Sequence, residues 1–133
     1  MALLVDANVL LDVIHEDPAW QEASEAALQA AIDQGELFLN EIVIAEIAPS
    51  FESFEDLTLR LPPALYRLEA IPGEAAFLAG RVHAEYRRRG GRRTRTLPDF
   101  FIGAHCAVRG YDLLTRDPRR IRRYFPTVKI IEP

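Results

Sequence analysis

Residues 1–14 read MALLVDANVLLDVI, and this opening decides the fold class. The apolar run from Ala2 to Val5 predicts a short buried strand that ends at Asp6. The next segment predicts a helix, capped by Asn8, because apolar residues recur there at helical spacing: Val9, Leu10, Val13 and Ile14. A buried strand that passes directly into a helix is the repeating unit of α/β proteins.

The same alternation continues to the end of the chain. Further strands are predicted at 37–39, 66–71, 111–115 and 128–131, and further helices at 19–33, 41–48, 53–61, 74–89 and 98–109. This order predicts a mostly parallel sheet of about five strands with helices on both faces, a three-layer α/β/α sandwich. Because no linker, repeat or low-complexity tract interrupts it, we expect residues 1–133 to form a single domain.

The composition is typical of a globular domain that folds without disulfides or a structural metal. The chain has 133 residues, is 49 % hydrophobic and 27 % charged, and its one cysteine, Cys106, excludes an internal disulfide. Asp6 and Asp12 interrupt the opening apolar run, which therefore is not a secretory signal. No apolar run approaches the roughly 20 residues needed to cross a bilayer. We therefore expect a cytoplasmic protein with no membrane contact.

The formal net charge of −4 hides an uneven distribution along the sequence. Residues 1–59 carry 13 Asp and Glu and no Lys or Arg, whereas residues 60–133 carry all 16 Lys and Arg against seven acids. Such asymmetry favours partners of more than one sign, with metal or a basic protein at the first half and phosphate at the second. The alternative is that the two halves interleave in space and attract each other, because charge distribution does not determine the fold.

Four carboxylates fall where a parallel sheet would gather ligands. Ligands collect at the carboxyl ends of such strands, and Asp6 and Asp117 follow the first and fourth predicted strands. Asp99 opens a helix directly after Pro98. Glu46 lies among apolar helix residues, where a carboxylate is seldom buried unless it is paired or binds a cation. Each acid also has a structural interpretation, as a helix cap, first-turn acid or turn residue, and Glu46 is the hardest to explain in that way.

These four residues have the chemistry of a magnesium or manganese site. Hard divalent cations prefer oxygen ligands, and four acids would serve one ion or a pair about 4 Å apart that steadies the oxygens of an in-line displacement. No nucleophilic side chain is required: the histidines at positions 15, 83 and 105 stand singly and are predicted to be structural or surface residues. The first strand lacks an Asp-x-Asp motif and the chain lacks a Gly-rich phosphate loop, so a phosphatase or NTPase is not expected.

The acidic motifs together resemble those of a known family. They are residues 4–12 (LVDANVLLD), 44–47 (IAEI), 97–104 (LPDFFIGA) and 113–117 (LLTRD). In order and spacing, over essentially the whole chain, they are similar to the motifs of PIN-domain ribonucleases, specifically VapC-type toxins of type II toxin–antitoxin systems. Relatives commonly have hydroxyl residues where this chain has Ala7 and Val43. Neither change removes a carboxylate, so both bear on rate more than on the presence of activity.

The resemblance implies a metal-dependent endoribonuclease, the toxin of a toxin–antitoxin pair, that hydrolyses RNA with a metal-activated water and leaves 5′-phosphate and 3′-hydroxyl ends. Its catalytic, metal-binding acids would be Asp6, Glu46, Asp99 and Asp117, with Mg²⁺ or Mn²⁺ as cofactor. Asn8 and Thr115 would be polar supports that orient the carboxylates or the attacking water. The implied protein partners are an antitoxin and a second copy of the chain in a homodimer.

Two groups of arginines are candidates for RNA contact, because the planar guanidinium matches phosphate geometry. The first group surrounds the Gly90-Gly91 loop and the second flanks Asp117: Arg87, Arg88, Arg89, Arg92, Arg93 and Arg95, and Arg116, Arg119, Arg120, Arg122 and Arg123. Of these, we name Arg92, Arg93, Arg116, Arg119 and Arg120 as the RNA-binding candidates. We favour the second group because it adjoins a proposed catalytic acid. For the first group, a solvated basic face is an equally good interpretation.

Two other functions remain open from the residues alone. One is a catalytically inactive PIN-fold domain that binds RNA or a partner protein, against which the intact acid set argues. The other is a related magnesium-dependent DNA nuclease. The choice of RNA over DNA rests on the resemblance alone.

Overall fold

Five short strands form one parallel sheet in the computed structural model, which describes residues 1–91 and 96–133. The strands are β1 (Ala2–Val5), β2 (Glu36–Leu39), β3 (Tyr66–Leu68), β4 (Asp112–Leu114) and β5 (Ile130–Ile131). They lie in the order β3-β2-β1-β4-β5, and every neighbouring pair is parallel. The predicted α/β class with a parallel sheet is confirmed.

Seven α-helices connect the strands within the described residues. They are α1 (Ala7–Ile14), α2 (Gln21–Gln34), α3 (Glu41–Ile47), α4 (Phe54–Arg60), α5 (Gly73–Arg88), α6 (Leu97–Arg109) and α7 (Arg119–Tyr124). Because parallel crossovers are right-handed, those running from β1 to β3 cover one face and those leading to β4 and β5 cover the other. The packing agrees, since α1 contacts α2 and α3 while α6 contacts α5 and α7. In the described part of the chain, no helix is both long enough and apolar enough to cross a membrane.

The core lies along the two central strands and their neighbours. Leu4 and Val5 of β1, Leu39 of β2 and Leu113 and Leu114 of β4 are fully buried. Strands that are buried on both faces appear in sequence as continuous apolar runs rather than alternating ones. That is why short apolar runs predicted these strands correctly.

The sequence-based expectations differ from the structure at two elements beside the functional end of the sheet. Asp6, rather than Asn8, is the N-cap of α1, and its carboxylate accepts a hydrogen bond from the backbone N–H of Ala7 at 2.8 Å. The arginine-rich helix α7 was not predicted. Two buried apolar residues four positions apart, Ile121 and Phe125, are the sequence pattern that indicates this helix. The arginines between them make that pattern hard to recognise.

Candidate metal centre

The candidate site lies at the carboxyl ends of β1 and β4, the neighbouring central strands. The chain continues from β1 toward β2 and from β4 toward β5, in opposite directions, so a crevice opens between them. The backbone N–H of Asp6 donates to the carbonyl of Leu114 at 2.9 Å, which ties the two strand ends together. Side chains that follow these strands are therefore held close to one another.

All four predicted acids line one pocket of about 170 Å³ at this place. They come from the cap of α1, from α3, from the first turn of α6 and from the loop after β4: Asp6, Glu46, Asp99 and Asp117. The remaining wall comes from α1, α6 and α7: Ala7, Asn8, Leu11, Ile102, Arg120 and Ile121. Four carboxylates that are far apart in sequence thus share one cavity.

Glu46 reaches this pocket for a different reason from the one its neighbours suggest. Its apolar company led to the expectation of a buried carboxylate, which is wrong, because Glu46 is exposed. Helix α3 is amphipathic: Val43 and Ile47 are fully buried on one face, and Glu46 lies on another. The place of Glu46 in the site therefore rests on its position at the pocket and not on its burial.

Burial and the charges of neighbouring carboxylates raise the pKa of two pocket acids, Asp6 and Glu46. Burial raises the pKa of Asp6 from 3.8 to about 6; the hydroxyl of Thr115 opposes this shift, and the charges of Asp99 and Asp117 add to it. The pKa of Glu46 rises from 4.5 to about 7 through desolvation and through the charges of Asp6 and Asp99. Glu46 is exposed, and the charges of Asp6 and Asp99 act on it across the shared pocket. The pocket concentrates negative charge that a cation would relieve.

Two arginines of α7 stand at the rim of the acidic pocket. The Nη1 group of Arg120 donates a hydrogen bond to Oδ2 of Asp99. The pKa of Asp99 is nevertheless raised, because burial outweighs the charge of Arg120. Arg119 is 92 % exposed, and its Nε atom lies 3.8 Å from Oδ1 of Asp117. Arg119 and Arg120, two of the predicted RNA-binding arginines, thus lie beside the acids. Their contact with RNA stays a prediction.

Thr115 and Asn8 link Asp6 to the chain around Asp117. The buried Thr115 hydroxyl donates to Oδ2 of Asp6 at 2.8 Å and accepts from the backbone N–H of Asp117 at 3.1 Å. The Nδ2 group of Asn8 donates to Thr115 Oγ1 at 3.3 Å, and its Oδ1 accepts from the backbone N–H of Arg116 at 3.2 Å. These contacts fix the orientation of the Asp6 carboxylate. The supporting role of Asn8 and Thr115 in catalysis stays a prediction.

Arg116, a predicted RNA contact, is engaged inside the protein instead. Its Nη2 group donates to Oδ1 of Asp12 at 2.9 Å, and its guanidinium lies 5.0 Å from the ring centre of Trp20. Asp12 is 3 % exposed and also accepts from the hydroxyl of Ser24 at 2.7 Å. Because these contacts tie the end of β4 to α1 and α2, we assign Arg116 to the fold. Arg92 and Arg93 lie outside the described residues.

A buried polar network that joins the start of α3 to α6 was not predicted from the sequence. His105, fully buried on α6, places Nδ1 3.1 Å from Nδ2 of Asn40 and Nε2 2.7 Å from Oε2 of Glu69. Oδ1 of Asn40 accepts from the backbone N–H of Val43 and so caps α3, which leaves Nδ2 as the donor to His105. His105 therefore carries its proton on Nε2 and donates it to Glu69, whose other oxygen accepts from the hydroxyl of Tyr111 at 2.8 Å.

The acidic pocket offers oxygen atoms, the ligands that a hard divalent cation prefers, but it does not form a closed metal site. Within residues 1–91 and 96–133, no three His, Cys, Asp or Glu side chains are close enough together to enclose a metal. Magnesium usually keeps several waters and takes one or two carboxylates directly. Four acids share the pocket with Arg120, and the pKa is raised at Asp6, Glu46 and Asp99, which is compatible with that mode of binding.

Comparisons with known proteins identify the family of the chain and proteins of similar fold. The family model described as the PIN domain matches residues 3–125. The structure resembles that of VapBC2 from Rickettsia felis bound to a DNA fragment from its promoter, with a TM-score of 0.75 and 16 % identity over 100 % of this chain and 99 % of that chain. It also resembles DNA-bound VapBC from Salmonella typhimurium, with a TM-score of 0.70 and 19 % identity over 99 % and 98 %.

A third similar structure is FitAcB from Neisseria gonorrhoeae, with a TM-score of 0.64 and 17 % identity over 97 % of this chain and 96 % of that chain. At such identities, the similarity establishes the fold. No curated protein sequence matches the chain. Because the family model spans nearly the whole sequence, this chain belongs to the PIN domain family.

Proposed function

We propose that this protein is a metal-dependent endoribonuclease of the VapC type and that residues 1–133 form one nuclease domain. The observation that carries the proposal is the convergence of four carboxylates from separate elements on one pocket between β1 and β4. Membership of the PIN domain family and the similarity to VapBC structures support it. A function in binding alone would not require four acids to be brought together at a cost in repulsion.

In this proposal Asp6, Glu46, Asp99 and Asp117 hold Mg²⁺ or Mn²⁺. When bound, the cation supplies the positive charge that stabilises a phosphate during in-line displacement and makes water more acidic. Carboxylate oxygens that face the phosphate accept hydrogen bonds from the attacking water and align it. Thr115 holds the Asp6 carboxylate in one orientation, so the alignment exists before RNA arrives.

We propose RNA as the substrate because two arginines stand at the rim of the acidic pocket. Arg119 and Arg120 stand beside Asp117 and Asp99, where they would offset the repulsion between the acids and an approaching phosphate backbone. Single-stranded RNA is the proposed substrate. The VapBC and FitAcB structures suggest an antitoxin as protein partner, and we include a homodimer in the proposal.

Product analysis on matched RNA and DNA tests the reaction class. Labelled single strands of the same sequence are incubated with the protein and Mn²⁺, and the end groups are determined. We expect cleavage of RNA that leaves 5′-phosphate and 3′-hydroxyl ends. A 2′,3′-cyclic phosphate product would contradict water attack, and preferential cleavage of DNA would identify a DNA nuclease.

A further inference from the structure

A second pocket adjoins the acidic one and has no part in the proposed chemistry. It has a volume of about 300 Å³ and shares Asp117 and Arg120 with the acidic pocket. Its other lining residues combine two aromatic rings with two further arginines: Tyr86, Tyr124, Arg119 and Arg123. Rings and guanidinium groups in one cavity have the composition of a nucleotide site, because both offer flat faces to a base and arginine also binds phosphate.

The two tyrosine rings pack on a residue of the core, Phe100. The ring centres of Tyr86 and Tyr124 are 5.6 Å apart, with the planes at 85°. Both rings pack on the fully buried Phe100, at 5.3 and 5.4 Å between ring centres. A floor anchored to the core presents its rings in a fixed orientation, so little conformational freedom is lost when a planar ligand stacks on it.

Two of the arginines lie over these rings. Cζ of Arg120 is 5.5 Å from the ring centre of Tyr86, and Cζ of Arg123 is 5.6 Å from that of Tyr124. A guanidinium held over an aromatic ring keeps its N–H edges available for phosphate and its outer face for a base. Arg120 also pairs with Asp99, so this stacked arrangement reaches directly to the acidic pocket.

We propose that this pocket binds one nucleotide of a single-stranded RNA beside the phosphodiester bond that lies at the acidic pocket. The inference rests on the proposed function, because it uses the acidic pocket to define where the RNA is cut. Three arginines against one aspartate give the pocket the positive charge that a phosphate requires. Stacking on the half-buried rings of Tyr86 and Tyr124 requires an unpaired base, which a double helix does not provide.

Neighbouring arginines of α7 provide a matched test. Arg123 lines the pocket, whereas Arg122 on the same helix pairs with Glu132 at 2.8 Å and does not line it. Binding of a labelled single-stranded RNA is measured by fluorescence anisotropy in EDTA, so that no metal-dependent cleavage occurs. We expect Arg123→Ala to weaken binding by roughly 5- to 10-fold and to flatten its salt dependence, while Arg122→Ala stays within about twofold. Equal effects of the two substitutions would overturn the proposal, because they would indicate general attraction to basic charge.

Abasic nucleotides identify the base contact. A base is removed at each position of the RNA in turn, and binding is measured with the unsubstituted protein and with Tyr124→Leu. We expect one position to matter for the unsubstituted protein and to lose its effect in Tyr124→Leu, while Tyr124→Phe retains the ring and the effect. Thermal unfolding of Tyr124→Leu controls for its packing on Phe100.

The two proposals fail in different ways. If the protein cleaves RNA with metal but binds every abasic RNA equally well, the nucleotide pocket is wrong and the nuclease proposal stands. A position-dependent profile without any cleavage would support the pocket and contradict the nuclease proposal.

Discussion

The Nδ1 atom of His105 lies 3.1 Å from the Nδ2 atom of Asn40, and this contact joins the helix that carries Asp99 to the helix that carries Glu46. Asn40 is the cap of α3, and His105 is fully buried within α6. The two helices that carry Glu46 and Asp99 are therefore joined by a buried hydrogen bond.

Replacing His105 tests whether this bond positions the acids. We expect His105→Ala to leave Asn40 and Glu69 without their buried partner and to lower the free energy of unfolding by about 1–3 kcal/mol, measured by urea denaturation. We also expect Mn²⁺ binding to weaken, measured by calorimetry at a temperature where the variant is folded.

Tyr111→Phe is the control for His105→Ala. It removes one hydrogen bond to Glu69 but keeps the ring that stacks on Phe38 at 4.7 Å and leaves the contact between His105 and Asn40 intact. It should retain Mn²⁺ affinity. Unchanged affinity in His105→Ala would show that the network serves the fold and not the site.

Asn40 and His105 also show where sequence reasoning stops. An asparagine before an apolar helix indicates a cap, and that local signal is visible at Asn40. Its partner lies 65 residues away, and no local pattern links the two. The same holds for Arg116 and Asp12, 104 residues apart, so that Arg116 was read as a phosphate contact.

The strand ends, in contrast, could be predicted. Asp6 and Asp117 follow apolar runs that are buried in the sheet, and such runs predict parallel strands whose carboxyl ends lie at one edge. Glu46 was placed in the site although its burial was misjudged, because a helix separates neighbours in sequence onto different faces. Helix α7 was missed because four arginines conceal its apolar spacing.

Thr115→Val isolates the hydroxyl that orients Asp6. Valine has nearly the same shape but cannot donate to Oδ2 of Asp6, which now receives that bond at 2.8 Å. We expect the RNA cleavage rate to fall about 10- to 100-fold, while circular dichroism shows an unchanged fold. Thr115→Ser, which retains the hydroxyl, should recover most of the rate. A fully active Thr115→Val protein would be at odds with the proposed support role.

Arg116 and Arg119 should respond to substitution in opposite ways. Arg116→Ala leaves the buried Asp12 without its charge partner, and we expect the free energy of unfolding to fall by about 2–3 kcal/mol, less than for a fully buried pair because the Arg116 side chain is 32 % exposed. Arg119→Ala removes a side chain that is 92 % exposed and should leave stability unchanged while weakening RNA binding. Urea denaturation and anisotropy of both variants make the comparison; the reverse pattern would refute the assignment of Arg116 to the fold.

The raised pKa values of Asp6 and Glu46 predict a pH dependence of stability without metal. Since the folded state binds these protons more tightly, their stabilising contribution is complete below about pH 4 and is lost as the pH rises through about 6 and 7. In EDTA, we expect the melting temperature to fall over this range, with a smaller fall in Asp6→Asn. Mn²⁺ should restore stability at the upper end. If the melting temperature of Asp6→Asn depended on pH in the same way as that of the unsubstituted protein, Asp6 would not be a source of the pH dependence.

We propose that four carboxylates in one pocket make this protein a metal-dependent ribonuclease, and cleavage of a mixed RNA pool tests this most directly. The panel contains the unsubstituted protein, Asp6→Asn, Glu46→Gln, Asp99→Asn and Asp117→Asn, with Asp33→Asn on the exposed surface of α2 as the control. We predict cutting in Mg²⁺ or Mn²⁺ that stops in EDTA, is lost in Asp6→Asn and Asp99→Asn, and persists in Asp33→Asn. No cutting by the unsubstituted protein with either metal, or undiminished cutting in Asp6→Asn and Asp99→Asn, would contradict the account.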